Sequence, residues 1–156
     1  MTSKSSQWAA SPQLLFSLAE EYRLAALSLE VSHRKRQPLS LAPFRFAAIH
    51  AIELYLSAVL LKGGQTPEDI LQLRHGLQSR AELAKAMGLV LRQSAFDHLG
   101  ALDVNREYPA ARYGSGDLNA ASPVNRLVAT LKDVANKTKP IIEAAEPKPR
   151  PLPLCR

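Results

Sequence analysis

The feature that most constrains this 156-residue chain is one long segment that is apolar on nearly every side. As a helix, residues 44–61 would present no continuous polar face to solvent, which is typical of a helix in the middle of a bundle or at a subunit interface. The polar residues that interrupt it are therefore candidates for a structural or functional role. Its apolar residues are Phe44, Phe46, Ile49, Ile52, Leu54, Tyr55, Leu56, Val59, Leu60 and Leu61.

The rest of the chain also favours helices. Ser11 followed by Pro12 is typical of a helix start, and Ser122 followed by Pro123 repeats it. Aromatic residues make up only 6% of the chain, so the core must use Leu, Ala, Val and Ile, which suit helix packing better than a sheet. The first helix is expected to bury a stripe formed by Leu15, Leu18, Tyr22, Ala25 or Ala26, and Leu29.

These signals predict an all-α fold, a single up-and-down bundle of four to five helices. Residues 105–122 contain two glycines and Pro109, and are expected to form an irregular loop long enough to be a candidate binding segment. We expect residues 1–10 to be disordered, residues 11–146 to form the helical domain, and residues 147–156 to form an extended, proline-rich basic tail.

The polar residues of the central helix form a narrow stripe. His50, Glu53 and Ser57 fall within roughly 60° of one another, whereas Arg45 lies roughly 140° from His50. A buried carboxylate needs a partner, because isolated burial costs several kcal/mol. The candidate partners of Glu53 are His50, His75 and an arginine from residues 105–122. Glu53 either fixes the packing of these elements or acts directly on a substrate.

The formal net charge of +6 favours anionic partners, RNA included. Part of the excess is concentrated at residues 34–36, which read Arg-Lys-Arg, and part in the C-terminal segment. The alternative is that these residues form only a solvated face and a basic tail.

Three segments resemble the HEPN family of helical domains and together cover residues 41–114. The second helix of that family places small and apolar residues around a glutamate before a glycine turn, and a similar pattern is found in FRFAAIHAIELYLSAVLLKGG. A histidine-containing segment that precedes the next helix is similar to RHGLQSRAELAKAMGL, and an Arg-Tyr segment that closes the family's core is similar to REYPAARYG. The resemblance implies a compact bundle of four or five helices, commonly a homodimer, from toxin–antitoxin and defence systems.

Members of that family are metal-independent ribonucleases or non-catalytic partners of nucleotidyltransferase-like proteins. The catalytic members resemble one another in an arginine and a histidine separated by four to six residues, usually on a late helix. Arg45 and His50 fit this spacing but lie on the second helix, whereas Arg92 and His98 fit it at a later position. In either pair the histidine would take the 2′-hydroxyl proton and the arginine would hold the phosphate charge.

The segment 105–122 combines cations and aromatic rings, the residue types that hold phosphates and stack on bases. Arg106, Tyr108, Arg112 and Tyr113 are therefore candidate binding residues, together with Glu53 and His75 described above. The alternative is that Tyr113 packs against the bundle while Arg112 pairs with Glu53.

Several site classes are not indicated by the sequence. The histidines, His33, His50, His75 and His98, are scattered and lack acidic or thiol ligands at metal-site spacing. Neither a glycine-rich phosphate loop nor a serine nucleophile motif is found. We therefore expect no metal and no cofactor. Cys155 is the only cysteine and is expected to be an incidental thiol.

The expected location is cytoplasmic, with no membrane partner. The first eleven residues are polar, and the stretch 46–61 is interrupted by polar residues and is expected to be too short for a bilayer. The leading functional prediction is a dimeric HEPN-like module that binds RNA, a nucleotide or a protein partner. The alternatives are a metal-independent ribonuclease that uses an Arg/His pair and a purely structural assembly domain.

Overall fold

A computed structural model describes residues 10–145, and within that range the chain is all-α. The all-α class is therefore confirmed. The number of α-helices in this range is seven, more than the predicted four to five, because two short helices are present in addition to five longer ones. The predicted tail and nearly all of the predicted disordered N-terminus lie outside the described residues. The helices are α1 Pro12–Val31, α2 Ala42–Lys62, α3 Pro67–Gln72, α4 Leu77–Ala86, α5 Gln93–Val104, α6 Glu107–Tyr113 and α7 Val124–Glu143, with 3-10 turns at Pro38–Leu41 and Leu118–Ala120.

Helix α2 is the centre of the fold. Helices α1, α4, α6 and α7 all pack on it, and 14 of its 21 residues are buried. Alanines at positions 47, 48, 51 and 58 let neighbouring helices approach closely, while Phe44, Ile52 and Leu56 fill the space between them. Each large apolar side chain buried in this way contributes about 1.5–3 kcal/mol. The interior of a single chain thus accounts for the apolar character of α2 without a subunit interface.

Helix α2, together with the 3-10 turn before it, is long and apolar enough to pass as a membrane span by length and composition. The apolar segment thus covers Pro38–Lys62, which is longer than the stretch 46–61 expected from the sequence. The most apolar window is 72% buried within the fold. This is weak evidence for a membrane segment, because the buried core helix of a soluble protein has the same properties.

Helix α1 begins as predicted but buries a different stripe. The Ser11 side chain accepts a hydrogen bond from the Leu14 amide at 3.0 Å, with Pro12 in the first turn. The residues of α1 that face the core are Leu15, Ala19 and Ala26, with Tyr22 half-buried. Leu18 and Leu29, expected in this stripe, are exposed. The small Ala19 and Ala26 allow α1 to lie close to α2, which leaves the flanking leucines outside the contact.

The segment 105–122, expected to be an irregular loop, contains α6 and a 3-10 turn. The misleading signal was Pro109. It is the third residue of α6, and the first four amides of a helix have no intrahelical partner, so proline costs no hydrogen bond there. Glycine supplies the stop, since Gly114 ends α6 with a φ of +68°.

Helix α4 is capped by a residue of another helix. Its own N-cap, Gly76, has no side chain, and the Asp103 carboxylate of α5 instead accepts hydrogen bonds from the amides of Leu77 at 3.0 Å and Gln78 at 2.8 Å. A carboxylate at this end also stabilises the helix dipole. This contact fixes the start of α4, and with it the neighbouring His75, relative to α5.

Candidate functional site

The polar stripe of α2 lines a cavity of about 670 Å³ between α2, α3 and α4, here named the α2 cleft. This volume is within the range of small-molecule and cofactor sites. The helical spacing of His50, Glu53 and Ser57 places all three on this side of α2, as the sequence predicts. The polar residues that line it are His50, Glu53, Ser57, Arg74, His75 and Arg80.

Glu53 is the polar centre of the α2 cleft. Its side chain is 13% exposed, and its two oxygens face different basic side chains. Oε2 lies 3.3 Å from Nδ1 of His75, and Oε1 lies 3.5 Å from Nη2 of Arg80. His75 was one of the partners expected from the sequence, whereas Arg80 was not. Among the described residues, Arg112 forms no ion pair with Glu53, so that alternative is wrong.

Arg80 is a buried cation that joins three helices. Nε donates to Oγ of Ser57 at 3.2 Å, Nη1 donates to the Gly76 carbonyl at 3.1 Å, and Nη2 donates to the Ile70 carbonyl at 3.4 Å. Burial lowers the pKa of Arg80, while the charges of Glu53 and Asp103 oppose that shift. A signal for Arg80 was present in the sequence, because it shares one helical face with the buried residues Leu77, Ala81 and Ala84.

Five rings follow one another along this side of α2. Tyr22 of α1 meets the His50 ring edge-on at 4.6 Å between centroids, and Phe46 stacks on His50 at 6.0 Å. Tyr108 of α6 stacks on Phe46 at 5.6 Å and contacts the His75 ring at 5.0 Å. Four helices or their flanking turns therefore supply one continuous set of ring contacts. His75 is its most open member, with 55% of its side chain exposed.

His50 is half-buried, and its Nδ1 is a buried atom without a hydrogen-bond partner in the described part of the chain. Burial lowers the pKa of His50, the Glu53 carboxylate opposes that shift, and the His75 and Arg112 charges add to it. A histidine with a pKa below its usual value is neutral at pH 7. His50 thus offers an uncharged ring to the cleft.

Arg45 does not join His50 in a site. Its side chain points to the other side of α2, where Nη1 donates to the Ser122 carbonyl at 2.8 Å and lies 3.7 Å from Oε2 of Glu107. Glu107 in turn accepts hydrogen bonds from the amide and the hydroxyl of Ser122, at 2.6 and 2.9 Å. Arg45 therefore fixes the segment before α7 to α2 and α6.

Arg92 and His98 are separated by burial. The Arg92 side chain is 80% exposed, and its Nε lies 3.7 Å from Oδ1 of Asp133. His98 is 0% exposed, and its Nδ1 lies 2.7 Å from the Thr130 hydroxyl of α7. Burial lowers the pKa of His98 to about 4, and the charges of Arg126 and Arg45 add to the shift. In neither proposed pair, Arg45 with His50 or Arg92 with His98, do the arginine and the histidine face the same solvent-accessible site.

The remaining candidates from residues 105–122 differ in position. Tyr108 belongs to the ring series and is buried. Arg112 is exposed and lies over the ring of Tyr113 at 5.1 Å, beside a shallow cavity of about 320 Å³ that is also lined by Phe46. Tyr113 is 72% exposed, so the expectation that it packs against the bundle is wrong. Arg106 is exposed and lines a separate cavity of about 420 Å³.

Within residues 10–145 no group of three or more histidine, cysteine or acidic side chains is placed to hold a metal ion. The α2 cleft offers stacking surfaces, a carboxylate and cations, which are groups that bind a planar, phosphate-bearing ligand. No protein-family model matches the chain, and no curated protein or solved structure is significantly similar to it.

Proposed function

We propose that the protein is a HEPN-like helical module that binds RNA or a nucleotide in the α2 cleft. The ring contacts from Tyr22 through His50, Phe46 and Tyr108 to His75 are the observation that carries this proposal. Proteins hold unpaired bases by stacking them on aromatic and imidazole rings. An exposed ring at the end of a supported series is already oriented, so little side-chain entropy is lost when a base stacks on it.

Cations flank this ring series on two sides. Arg74 is exposed and lines the α2 cleft beside His75. Arg112 is exposed beside Phe46, and its charge contributes to the lowered pKa of His50, which lines the cleft. Phosphates on either side of a stacked base would meet one of these guanidinium groups, which bind phosphate through paired N–H donors.

Binding is favoured over cleavage by the separation of the Arg/His pairs. Metal-independent cleavage of RNA needs a base at the 2′-hydroxyl and a cation at the same phosphate. Arg45 is engaged with Ser122 and Glu107 on the other side of α2 from His50. His98 is fully buried, whereas the side chain of Arg92 is in solvent.

The decisive experiment measures binding and cleavage in the same samples. Fluorescein-labelled single-stranded RNA is titrated with the full chain in EDTA, binding is followed by anisotropy, and the RNA is then resolved on a denaturing gel. We expect saturable binding without cleavage. His75→Ala removes the exposed ring and should weaken binding about fivefold or more, the range for loss of one stacking contact.

Tyr113→Ala is the control, because it removes a more exposed ring that does not line the α2 cleft and leaves the Arg112 guanidinium in place. Its affinity should stay within about twofold of wild type. Equal losses in both variants, or no saturable binding by the folded wild type, would overturn the proposal. Cleavage that disappears in His50→Ala would replace it with the ribonuclease alternative.

We also propose that the protein pairs with a second copy through α1. Leu14, Leu18, Ala25 and Leu29 are exposed and fall within roughly 60° on one face of this 20-residue helix. An exposed apolar stripe of this length is typical of a helix–helix interface. Light scattering should give a dimer for the wild type and a monomer for Leu18→Glu. A monomeric wild type at about 100 μM would remove the proposal.

A further inference from the structure

A second concave surface lies on the side of α2 that carries Arg45, here named the basic groove. It has a volume of about 450 Å³ and forms where the turn after α1 meets residues 118–124. It shares no lining residue with the α2 cleft. Its charged and titratable lining residues are His33, Arg34, Lys35, Arg36 and Arg45, and no carboxylate lines it.

The three consecutive cations of this groove are not neutralised within the fold. Arg34, Lys35 and Arg36 are exposed, and their side chains form no ion pair or hydrogen bond within residues 10–145. Here the run borders a cavity whose opposite wall belongs to a different part of the chain.

Arg45 places a fourth cation at the base of the groove. It is only 5% exposed, and both of its contacts use Nη1, so the rest of its guanidinium has no hydrogen bond in the described part of the chain. Burial lowers the pKa of Arg45 despite the nearby Glu107. The carboxylate therefore offsets only part of the cost of burying this charge, and an anion in the groove would offset more.

The start of α7 adds to the positive potential. Val124, the first residue of this 20-residue helix, lines the groove, and its N-cap, Pro123, provides no side-chain hydrogen bond. The amides of Val124 and Asn125 have no intrahelical acceptor, as at any helix start. Arg126 follows in the same turn and is exposed. Within the groove, the first residue of α7 and the lining arginines therefore bring together the kinds of donor that bind phosphate oxygens.

We propose that the basic groove binds a phosphate group, held by the guanidinium groups of Arg34, Arg36 and Arg45, by Lys35 and by the first amides of α7. Phosphate fits better than a carboxylate, because its larger charge and additional oxygens match several separate donors. The site is independent of the α2 cleft and does not require the function proposed for it.

The test is an NMR titration of the full ¹⁵N-labelled chain with inorganic phosphate at low ionic strength. We expect saturable amide shifts at residues 34–37, 122 and 124–126. In the triple variant Arg34→Gln, Lys35→Gln, Arg36→Gln the affinity should fall tenfold or more. All three side chains are exposed, so the variant should remain folded, which its dispersed spectrum would confirm.

A second triple variant controls for total charge. Lys132→Gln, Lys137→Gln, Lys139→Gln removes three charges from exposed positions of α7 and should change the affinity less than twofold. Equal losses in both triple variants would overturn the proposal, because they would show a response to net charge alone. Shifts that do not saturate, or that fall outside the groove, would also overturn it.

A parallel titration with a nucleoside 5′-monophosphate distinguishes the source of the phosphate. Tighter binding than inorganic phosphate, lost in the first triple variant, identifies a phosphate ester as the ligand. Equal binding identifies the phosphate group alone. His75→Ala should leave the inorganic phosphate titration and the nucleotide-induced shifts of the groove residues unchanged, because it lines only the α2 cleft. It should weaken only nucleotide-induced shifts around the α2 cleft, so failure of the α2 cleft proposal and failure of this one give different results.

Discussion

On one side of α2 the buried Glu107 carboxylate is enclosed by Arg45 and Ser122, whereas on the other side the Glu53 carboxylate faces a cleft. Arg45 and Glu107 are each almost fully buried, and Ser122 binds both of them. Glu53 has a buried partner in Arg80 but an open one in His75. The difference indicates that Glu107 and Nη1 of Arg45 hold segments of the fold together, while His75 and Glu53 of the α2 cleft remain available to a ligand.

The largest expected effect is on the enclosed side. Glu107→Ala would leave Arg45 as a buried charge without its carboxylate and would remove two acceptors from Ser122. Breaking a buried pair by removing one partner costs about 3–5 kcal/mol, so urea denaturation should show a loss of this size in the free energy of unfolding. Glu107→Gln keeps an acceptor for Ser122 and should lose less. If Glu107→Ala lowers the free energy of unfolding by less than about 1 kcal/mol, the enclosed carboxylate does not hold the fold together and the contrast between the two sides of α2 is wrong.

The second effect is a pH dependence from His98, which also lies in the field of Arg45. Its pKa is about 4 in the folded chain, against 6.5 for a histidine in an unfolded chain, so the unfolded chain binds more protons between these values. The contribution of His98 to the free energy of unfolding is therefore fully present above pH 6.5. It is lost as the pH is lowered from 6.5 to 4, and it changes no further below pH 4. The full difference corresponds to about 3 kcal/mol.

Urea denaturation at pH 7 and pH 4 measures this effect against His98→Gln, whose amide keeps a partner for Thr130. The variant should lose less stability between the two pH values than the wild type. His50, whose pKa is also lowered, contributes in the same direction to both proteins and cancels in the difference. Identical pH dependence in the two proteins would show that His98 is not held neutral by the fold.

A smaller effect is expected where the α2 cleft meets the rest of the fold. Asp103→Ala removes the carboxylate that caps α4 and should reduce the free energy of unfolding by about 1–2 kcal/mol. Asp103→Asn keeps an acceptor and should lose less. Because α4 carries Arg80 and follows His75, the alanine variant should also weaken RNA binding. Unchanged stability would mean that packing alone fixes α4.

Much of this fold follows from local sequence signals. The apolar run predicted α2 as the central helix, Ser11 with Pro12 predicted the start of α1, and helical spacing placed His50, Glu53 and Ser57 on one side. These features depend on residues close together in the chain. Their outcome is set by helical geometry and by the need to bury apolar surface.

The partners across the fold did not follow from local signals. Arg80 reaches Glu53 from 27 positions further along the chain, and Arg45 binds a carbonyl near the start of α7. A carboxylate on a helix can pair with any cation that packing brings near, and an arginine can donate to any nearby carbonyl. Spacing along the chain therefore cannot select the partner. The Arg92/His98 spacing shows the same limit, since it carries no information about which of the two is buried.

The smallest effect on stability, and the sharpest test of the comparison, is expected from His75→Ala. The side chain is largely exposed, and Glu53 keeps Arg80 as its partner, so the free energy of unfolding should change by less than about 0.5 kcal/mol. RNA binding should nevertheless weaken, because the most open ring of the series is lost. Urea denaturation and anisotropy on one preparation measure both quantities. A loss of stability as large as that of Glu107→Ala would mean that His75 is a structural residue, and that Glu53 and His75 hold the fold together as Glu107 and Ser122 do.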